Sequence, residues 1–465
     1  MEGLNGFIER VIIAVAAAQP FRRHHHIGQT DEAGLIGYSR GEECRPVSLH
    51  PEERRRHLYV LGATGCGKTN LLLRLIESDL RDGRTIVVLD LRGDLVDRVL
   101  LRLAAAEDPE AVIKRICLLD LRSSTPSLGF NPLIGPGETQ SRAFHLLGVI
   151  KEQSESWGVQ LEETLRNCLI ALSAAGASLL EIERLLTDGA HREEVLAKTD
   201  DPFVLSFFDR YGSLSADKQL AWTLPVLNKV TPLLSSPAIR AFLSAPQTID
   251  VRELLDTPGQ IVLVSLAVDR LHGGAYLLGG LLVSAIQAAA MARASQPEKT
   301  RNPVHLYIDE FETMASPAFE AIVAEGRRFG LSLTLSHQNL SQVPSGLRQV
   351  LRNNVHSQLF FQTGAIDAAD LALEVTGLGS KEEVRRLLLR QDVGEAILLR
   401  RGRPGLAIRT LTAPDPQVSA EALEKLKGAT GKVKAVPASK PKPPRKETPT
   451  KTKPEVRHGK RPGSL

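Results

Sequence analysis

Cysteine is scarce in this 465-residue chain: four, at positions 44, 66, 117 and 168, with no CxxC pair and no histidine at metal-ligand spacing beside them. That excludes a disulfide framework and a structural zinc site, and it implies reduced thiols. Long hydrophobic runs are nearly absent too. The run Val11–Ala18 is only eight residues, too short to span a bilayer, and no secretory signal is visible. One stretch does meet the length of a membrane helix: Gly273–Ala292, twenty residues without a charge. It is rich in Gly, Ala and Leu, carries Ser284 and Gln287, and lies between two expected core strands. A helix that is apolar all round can equally be buried in a large domain, and it is read as buried. Net charge is small as well, +4, but unevenly spread. Residues 428–465 hold eleven Lys or Arg against two Glu, a net of +9, which leaves −5 for the remainder. The body is therefore mildly acidic and the tail strongly basic.

What is present is ordinary for a globular protein, 42% apolar and 24% charged residues, and the length suggests two to three domains. The informative stretch is Gly62-Ala-Thr-Gly-Cys-Gly-Lys-Thr69, which follows the apolar run His57–Leu61 and opens a helix-period segment, Asn70–Leu80. This is GxxxxGK[ST] between a strand and a helix, the setting of a phosphate-binding loop. Gly62, Ala63, Thr64, Gly65, Cys66, Gly67, Lys68, Thr69 and Asn70 are the expected nucleotide contacts. In such loops backbone N–H groups and the helix N-terminus face phosphate, Lys reaches the β- and γ-phosphates, and the Thr hydroxyl ligates Mg²⁺. Cys66 inside the loop is either a small tolerated residue or a redox sensor.

Strand-like and helix-like segments then alternate: Thr85–Leu91, helix Gly93–Ala106, Arg115–Leu121. Near-continuous apolar runs alternating with helices predict an α/β fold with a mostly parallel sheet covered by helices. Between about 137 and 258 no strand is visible; Leu161, Leu165, Cys168, Leu169 and Leu172 recur at helical spacing, and Trp157 precedes them. This predicts an inserted all-helical domain. Alternation returns with Gln260–Leu266, the apolar helix, Val304–Glu310, a helix Ser316–Phe329 capped by Ser316, and Leu331–Ser336. A strand Ser357–Gln362, two helices and the strands Gly394–Arg400 and Leu406–Leu411 follow. The expected division is an N-terminal segment 1–34, a nucleotide-binding domain in two parts, 35–136 and 259–412, the helical domain 137–258, and a basic, mostly disordered tail 413–465. Seven prolines fall between Pro437 and Pro462, and no aromatic residue interleaves the tail for base stacking. Arg22–His26 is basic, either a solvated loop or a metal-binding run.

Leu306-Tyr-Ile-Asp-Glu310 is an apolar strand ending in two acids, a Walker B pattern. Asp309 is the expected Mg²⁺ carboxylate, and Glu310 the base that polarises the attacking water. Gln338 ends the next strand, where a parallel sheet gathers its ligand groups. Asp90 is expected beside the phosphate-loop strand, near the magnesium shell or as a helix cap. Arg327, Arg328, Arg348 and Arg352 are candidates for an arginine supplied to a neighbouring subunit; helix C-terminal arginines are also routine dipole partners.

Taken together, HLYVLGATGCGKT, VVLDLRGDLV, GFNPL, SWGVQLEETLRN, YIDEF, EGRRFGLSLTLSHQNLSQ and NNVHSQLFFQTGAIDA resemble the FtsK/HerA superfamily of P-loop ATPases. Within it they are most similar to TraD/TraG-like type IV secretion coupling proteins, over about residues 35–412. The resemblance implies a RecA-like core, a hexameric ring that hydrolyses ATP with Mg²⁺ between subunits, and DNA as the moved substrate. It also implies Gln338 as the sensor glutamine, Arg327 as the trans-acting arginine, and relaxase or secretion-channel proteins as partners. The sequence departs from the family in having no N-terminal pair of membrane helices. The expectation is a cytoplasmic form, with recruitment to the inner face of the membrane left to a partner. Two alternatives remain: an ATP-switched adaptor that recruits relaxase or effector proteins, and a HerA-like DNA-processing motor. The basic tail suits nucleic acid or a protein partner equally.

Overall fold

The computed structural model describes residues 34–428, except 42, 124–127, 136–137, 155, 246 and 315–316. The runs Val11–Ala18 and Arg22–His26, the Ser316 cap and the tail beyond 428 lie outside the described residues.

The apolar runs become strands whose successive side chains feed opposite faces. Leu58 and Val60 of β3 (Leu58–Leu61) join one buried cluster, and Tyr59 and Leu61 join the other. Ile86 and Val88 of β4 (Thr85–Asp90) separate from Val87 and Leu89 in the same way. Both faces are therefore covered, which is the condition for a parallel sheet. Among the described residues eleven strands pair in one sheet, in the order β2-β1-β11-β10-β9-β3-β8-β7-β4-β6-β5. The others are β1 (Leu35–Ser39), β2 (Pro46–Ser48), β5 (Ile116–Asp120), β6 (Ile261–Ser265), β7 (Val304–Asp309), β8 (Leu331–His337), β9 (Ser357–Phe360), β10 (Glu395–Arg400) and β11 (Leu406–Thr410). The run from β9 to β5 is parallel; β10, β11, β1 and β2 extend it antiparallel.

Helices Lys68–Arg81 and Asp94–Ala104 cover one face. The other face is covered by the apolar helix Gly273–Met291, whose buried residues include Leu278, Leu281 and Val283. It is long and apolar enough to cross a membrane, but most of it is buried inside the protein. The segment between β5 and β6 holds a series of helices, among them Thr139–Glu152, Val159–Ala175, Pro202–Gly212 and Ala216–Leu234. An isolated parallel bridge, Gly129 to Thr248, closes its neck. Its core includes Phe207, Tyr211 and Trp222, and it runs without a break into the core under the sheet.

Two expectations need correction. The first part of the presumed tail is ordered: helix Ala420–Gly428 packs on helix Asp94–Ala104, with Leu426 buried and Asp415 bound by Arg98 and Arg102. Ala420, Leu423 and Leu426 form a short apolar stripe that the surrounding charges obscure in sequence. Asp90 is not beside the phosphate-loop strand, since β8 and β7 lie between β4 and β3.

Candidate active site

The crevice lies where β3, β8 and β7 end side by side. β3 runs into the loop 62–67, and helix Lys68–Arg81 begins directly after it. Gly67 has φ 114°, a left-handed backbone that a side chain would strain. At Gly62 a Cβ would come within 2.6 Å of Phe361 Cβ and 2.8 Å of Cys66 Sγ, so the packed loop leaves no room for one. Lys68 is buried, and its Nζ donates to the carbonyls of Gly62 at 2.6 Å and Ala63 at 2.9 Å. The ammonium is thus held within the curl of the loop.

For Cys66 the structure favours the small tolerated residue over the redox sensor, and for Asn70 it gives the side chain other partners. Cys66 is buried, and burial pushes its thiol up, with Lys68 opposing. A buried protonated thiol lacks the thiolate character of a redox sensor. Asn70 faces away from the loop: its Nδ2 donates to Leu411 O at 2.7 Å and its Oδ1 accepts from Ala413 N at 2.8 Å. It tethers the chain leaving β11, so only its backbone is free for a nucleotide.

Thr69 Oγ1 donates to Asp309 Oδ2 at 3.2 Å. Burial pushes the Asp309 carboxyl up, the charges of Asp90 and Glu310 add to this, and Lys68 opposes it. A cation here would relieve that unfavourable burial. Among the described residues no group of three or more His, Cys, Asp or Glu could hold a metal by itself. One hydroxyl and one carboxylate do fit Mg²⁺, which takes few protein oxygens and fills its shell with phosphate and water.

Glu310 has φ 55°, a left-handed conformation in a non-glycine residue. Strain of this kind concentrates at functional sites. Its Oε1 accepts from Gln338 Nε2 at 2.9 Å, and Gln338 Oε1 accepts from Thr64 Oγ1 at 3.0 Å. A continuous polar chain therefore joins the phosphate loop to both strand ends. Glu310 Oε2 accepts from Arg92 Nε at 3.1 Å.

Arg92 was not singled out in the sequence. The available signal was its place just after β4, the strand next to β7. Asp90, two residues earlier, caps the following helix: its carboxylate accepts from the backbone N–H of Arg92, Leu95 and Val96. Glu312 was also missed. Burial, then the charges of Glu310 and Asp309, raise its carboxyl to about 7, and its Oε2 is buried without a partner among the described residues. His337, at the end of β8, hydrogen-bonds the Tyr59 hydroxyl at 2.5 Å. Burial and the Lys68 charge lower it to about 3, so it is neutral.

Arg327 and Arg328 are exposed in the turn 326–329, at the entry to β8. The seven residues of β8 separate them from Gln338, roughly 20 Å at ~3.3 Å per residue. They cannot reach the phosphate loop of their own subunit. Arg352 pairs with Glu374 at 2.8 Å, and Arg348 Nη2 donates to Val343 O at 3.1 Å.

With this geometry in hand, the relatives are informative. A family model described as the type IV secretion-system coupling protein DNA-binding domain matches residues 43–435. No curated protein matches the sequence. Among solved structures, the unbound bacterial conjugative coupling protein TrwBdeltaN70 is 16% identical, with a TM-score of 0.58 over 83% of this chain and 91% of that one. Plasmid coupling protein TrwB in complex with the non-hydrolysable ATP analogue ADPNP is 17% identical, with a TM-score of 0.59 over 86% of this chain and 97% of that one. VirB4 of Thermoanaerobacter pseudethanolicus is 13% identical, with a TM-score of 0.55 over 83% of this chain and 98% of that one. TrwB has also been solved with ADP and Mg²⁺. The fold is therefore that of TrwB, and, with the family model matching most of its length, the chain belongs to the type IV secretion-system coupling protein DNA-binding domain family.

Proposed function

We propose that the protein is an ATP-driven DNA motor of the coupling-protein type. The observation that carries this is the polar chain Thr64–Gln338–Glu310 beside Lys68 and the Thr69–Asp309 pair, all at adjacent strand ends. ATP binds with its β- and γ-phosphates against the loop 62–67. Lys68 exchanges its two carbonyl partners for phosphate oxygens. Thr69 and Asp309 hold Mg²⁺, which when bound offsets the charge on the phosphate oxygens. Glu310 accepts the proton of the attacking water, and Gln338 fixes the direction in which the carboxylate and the water point. Arg327 serves the site of the adjacent subunit, in a homo-hexameric ring.

The helical segment 137–258 acts as an inserted domain that meets the DNA, and the nucleotide-binding domain consists of 35–136 and 259–412. The protein works in the cytoplasm, with relaxase or secretion-channel proteins as partners. The test is ATP turnover by the purified chain with and without single- and double-stranded DNA. DNA should stimulate it, and Lys68→Ala should abolish it. Turnover indifferent to every form of DNA would defeat the motor reading.

A further inference from the structure

The end of the sheet opposite the ATP crevice, where β9 begins and β10 ends, carries a second polar cavity. It has a volume of about 400 Å³ and is lined by Arg352, Gln358, Glu374, Arg401, Arg403 and Pro404, among others. Its walls are built by the fold. The β10–β11 turn closes through Arg403 N to Arg400 O at 2.9 Å, with Gly402 in a left-handed conformation. Arg401 N binds His356 O at 2.9 Å, and Gly405 N binds Thr376 O at 2.7 Å, fixing the turn to both neighbouring segments.

The arginines divide into two sets. Arg400 is spent on Glu53 at 2.7 Å and Ser48 O at 2.8 Å, and Arg352 on Glu374 at 2.8 Å. Among the described residues Arg401 donates only to the Asn353 carbonyl, at 2.7 Å, and Arg403 has no side-chain partner. Arg56 is exposed and likewise has no side-chain partner among the described residues, and its carbonyl accepts from His356 N, so it stands beside the same rim. His356 reads the resulting field: after burial, the Arg56 charge is the next cause lowering it, with Arg400 and Arg403 adding, against Glu53 alone. Arg327 and Arg328 are exposed on this same strand-entry edge, at the start of β8.

We propose that Arg401, Arg403 and Arg56 form a phosphate-binding site for the nucleic-acid backbone, separate from the ATP site. Guanidinium forks suit phosphate oxygens; Arg401 and Arg403 line one rigid rim without carboxylate partners among the described residues, Arg56 lies next to it, and together they offer a polyanion unused donors. Among the described residues no aromatic side chain lines the cavity, so the site grips the backbone without stacking a base. The proposal rests on the reading of the protein as a DNA motor and adds a second point of grip, on the far side of the sheet from hydrolysis.

The experiment uses the full chain and fluorescent single- and double-stranded oligonucleotides, with affinity measured by anisotropy across a salt series. The basic tail contributes equally to wild type and variants, so the difference isolates the rim. Arg401→Glu with Arg403→Glu should weaken binding at least tenfold at low salt and lower the salt slope by about two, one unit per lost phosphate contact. Arg403→Glu alone, which breaks no hydrogen bond of the fold, should give about half that change in slope. Lys at both positions should retain most of the binding, and an unchanged thermal melt checks folding. If wild type binds DNA and the Glu variants match it in affinity and slope, the proposal falls while the motor reading stands. If wild type binds no DNA, both fall. If the Glu variants lose binding to oligo-glutamate but not to DNA, the cavity takes an acidic protein segment and the nucleic-acid assignment is wrong.

Discussion

Gln338 Nε2 donates to Glu310 Oε1 at 2.9 Å, tying the end of β8 to the residue after β7. The central strand of the crevice thereby aims the carboxylate of its neighbour. Glu310→Gln should preserve ATP binding and lower turnover about 10²- to 10⁴-fold, the usual contribution of a positioned general base. Gln338→Ala should lower kcat more than it changes KM for ATP. Single-turnover hydrolysis with labelled ATP checks both; a Glu310→Gln protein that still turns over at the wild-type rate would remove Glu310 from the chemistry.

Arg92 holds the other oxygen of the same carboxylate. With both oxygens engaged and the backbone strained, Glu310 is restrained until Arg92 lets go. The pair is well exposed on the arginine side, and such pairs contribute about 0.2–1 kcal/mol. Arg92→Ala should therefore raise DNA-independent turnover by up to about fivefold and shrink the DNA stimulation ratio. A fall in turnover of similar size would mean that Arg92 assists catalysis instead.

Arg327 lies too far from its own phosphate loop to act there, so its effect should cross a subunit boundary. Lys68→Ala and Arg327→Ala proteins should each be inactive alone. Mixed in equal amounts, they should regain activity at about a quarter of their interfaces, those pairing an intact loop with an intact arginine. No recovery under conditions where subunits exchange would count against the shared site. Lys68→Ala should also depress wild-type protein when mixed with it.

Glu312 titrates within the physiological range. Its folded-state value of about 7 lies above the ordinary 4.5, so the folded protein binds the extra proton. The contribution to stability is full below about pH 4.5 and is lost as pH rises through 7. In magnesium-free buffer, Glu312→Gln should raise the melting temperature over wild type at pH 8 and by much less at pH 5. A gain independent of pH would show that the carboxyl does not titrate as its burial implies.

Much of the fold is legible locally. The strands β3, β4, β6 and β7 read as apolar or nearly apolar runs because both of their faces are covered, whereas β8 alternates Leu with Ser and Thr. Helix Lys381–Arg390 is legible through its Ser380–Glu383 capping box. Helix Ala420–Gly428 is not, because its apolar stripe is three residues wide and its stability comes from docking on a helix more than three hundred residues earlier.

The sequence by itself determined the phosphate loop, the acidic strand end and the order of the strands along the chain, because these are patterns of neighbouring residues. Lys68, Thr69, Asp309, Glu310 and Gln338 could be named without coordinates. Tertiary structure alone decided strand order in space. That order put β8 between the loop and the acids, turned Gln338 into a bridge and brought Arg92 onto Glu310. Such contacts join residues 28 to 274 positions apart. No local propensity encodes them; they exist only once both faces of the sheet are buried and its register is set.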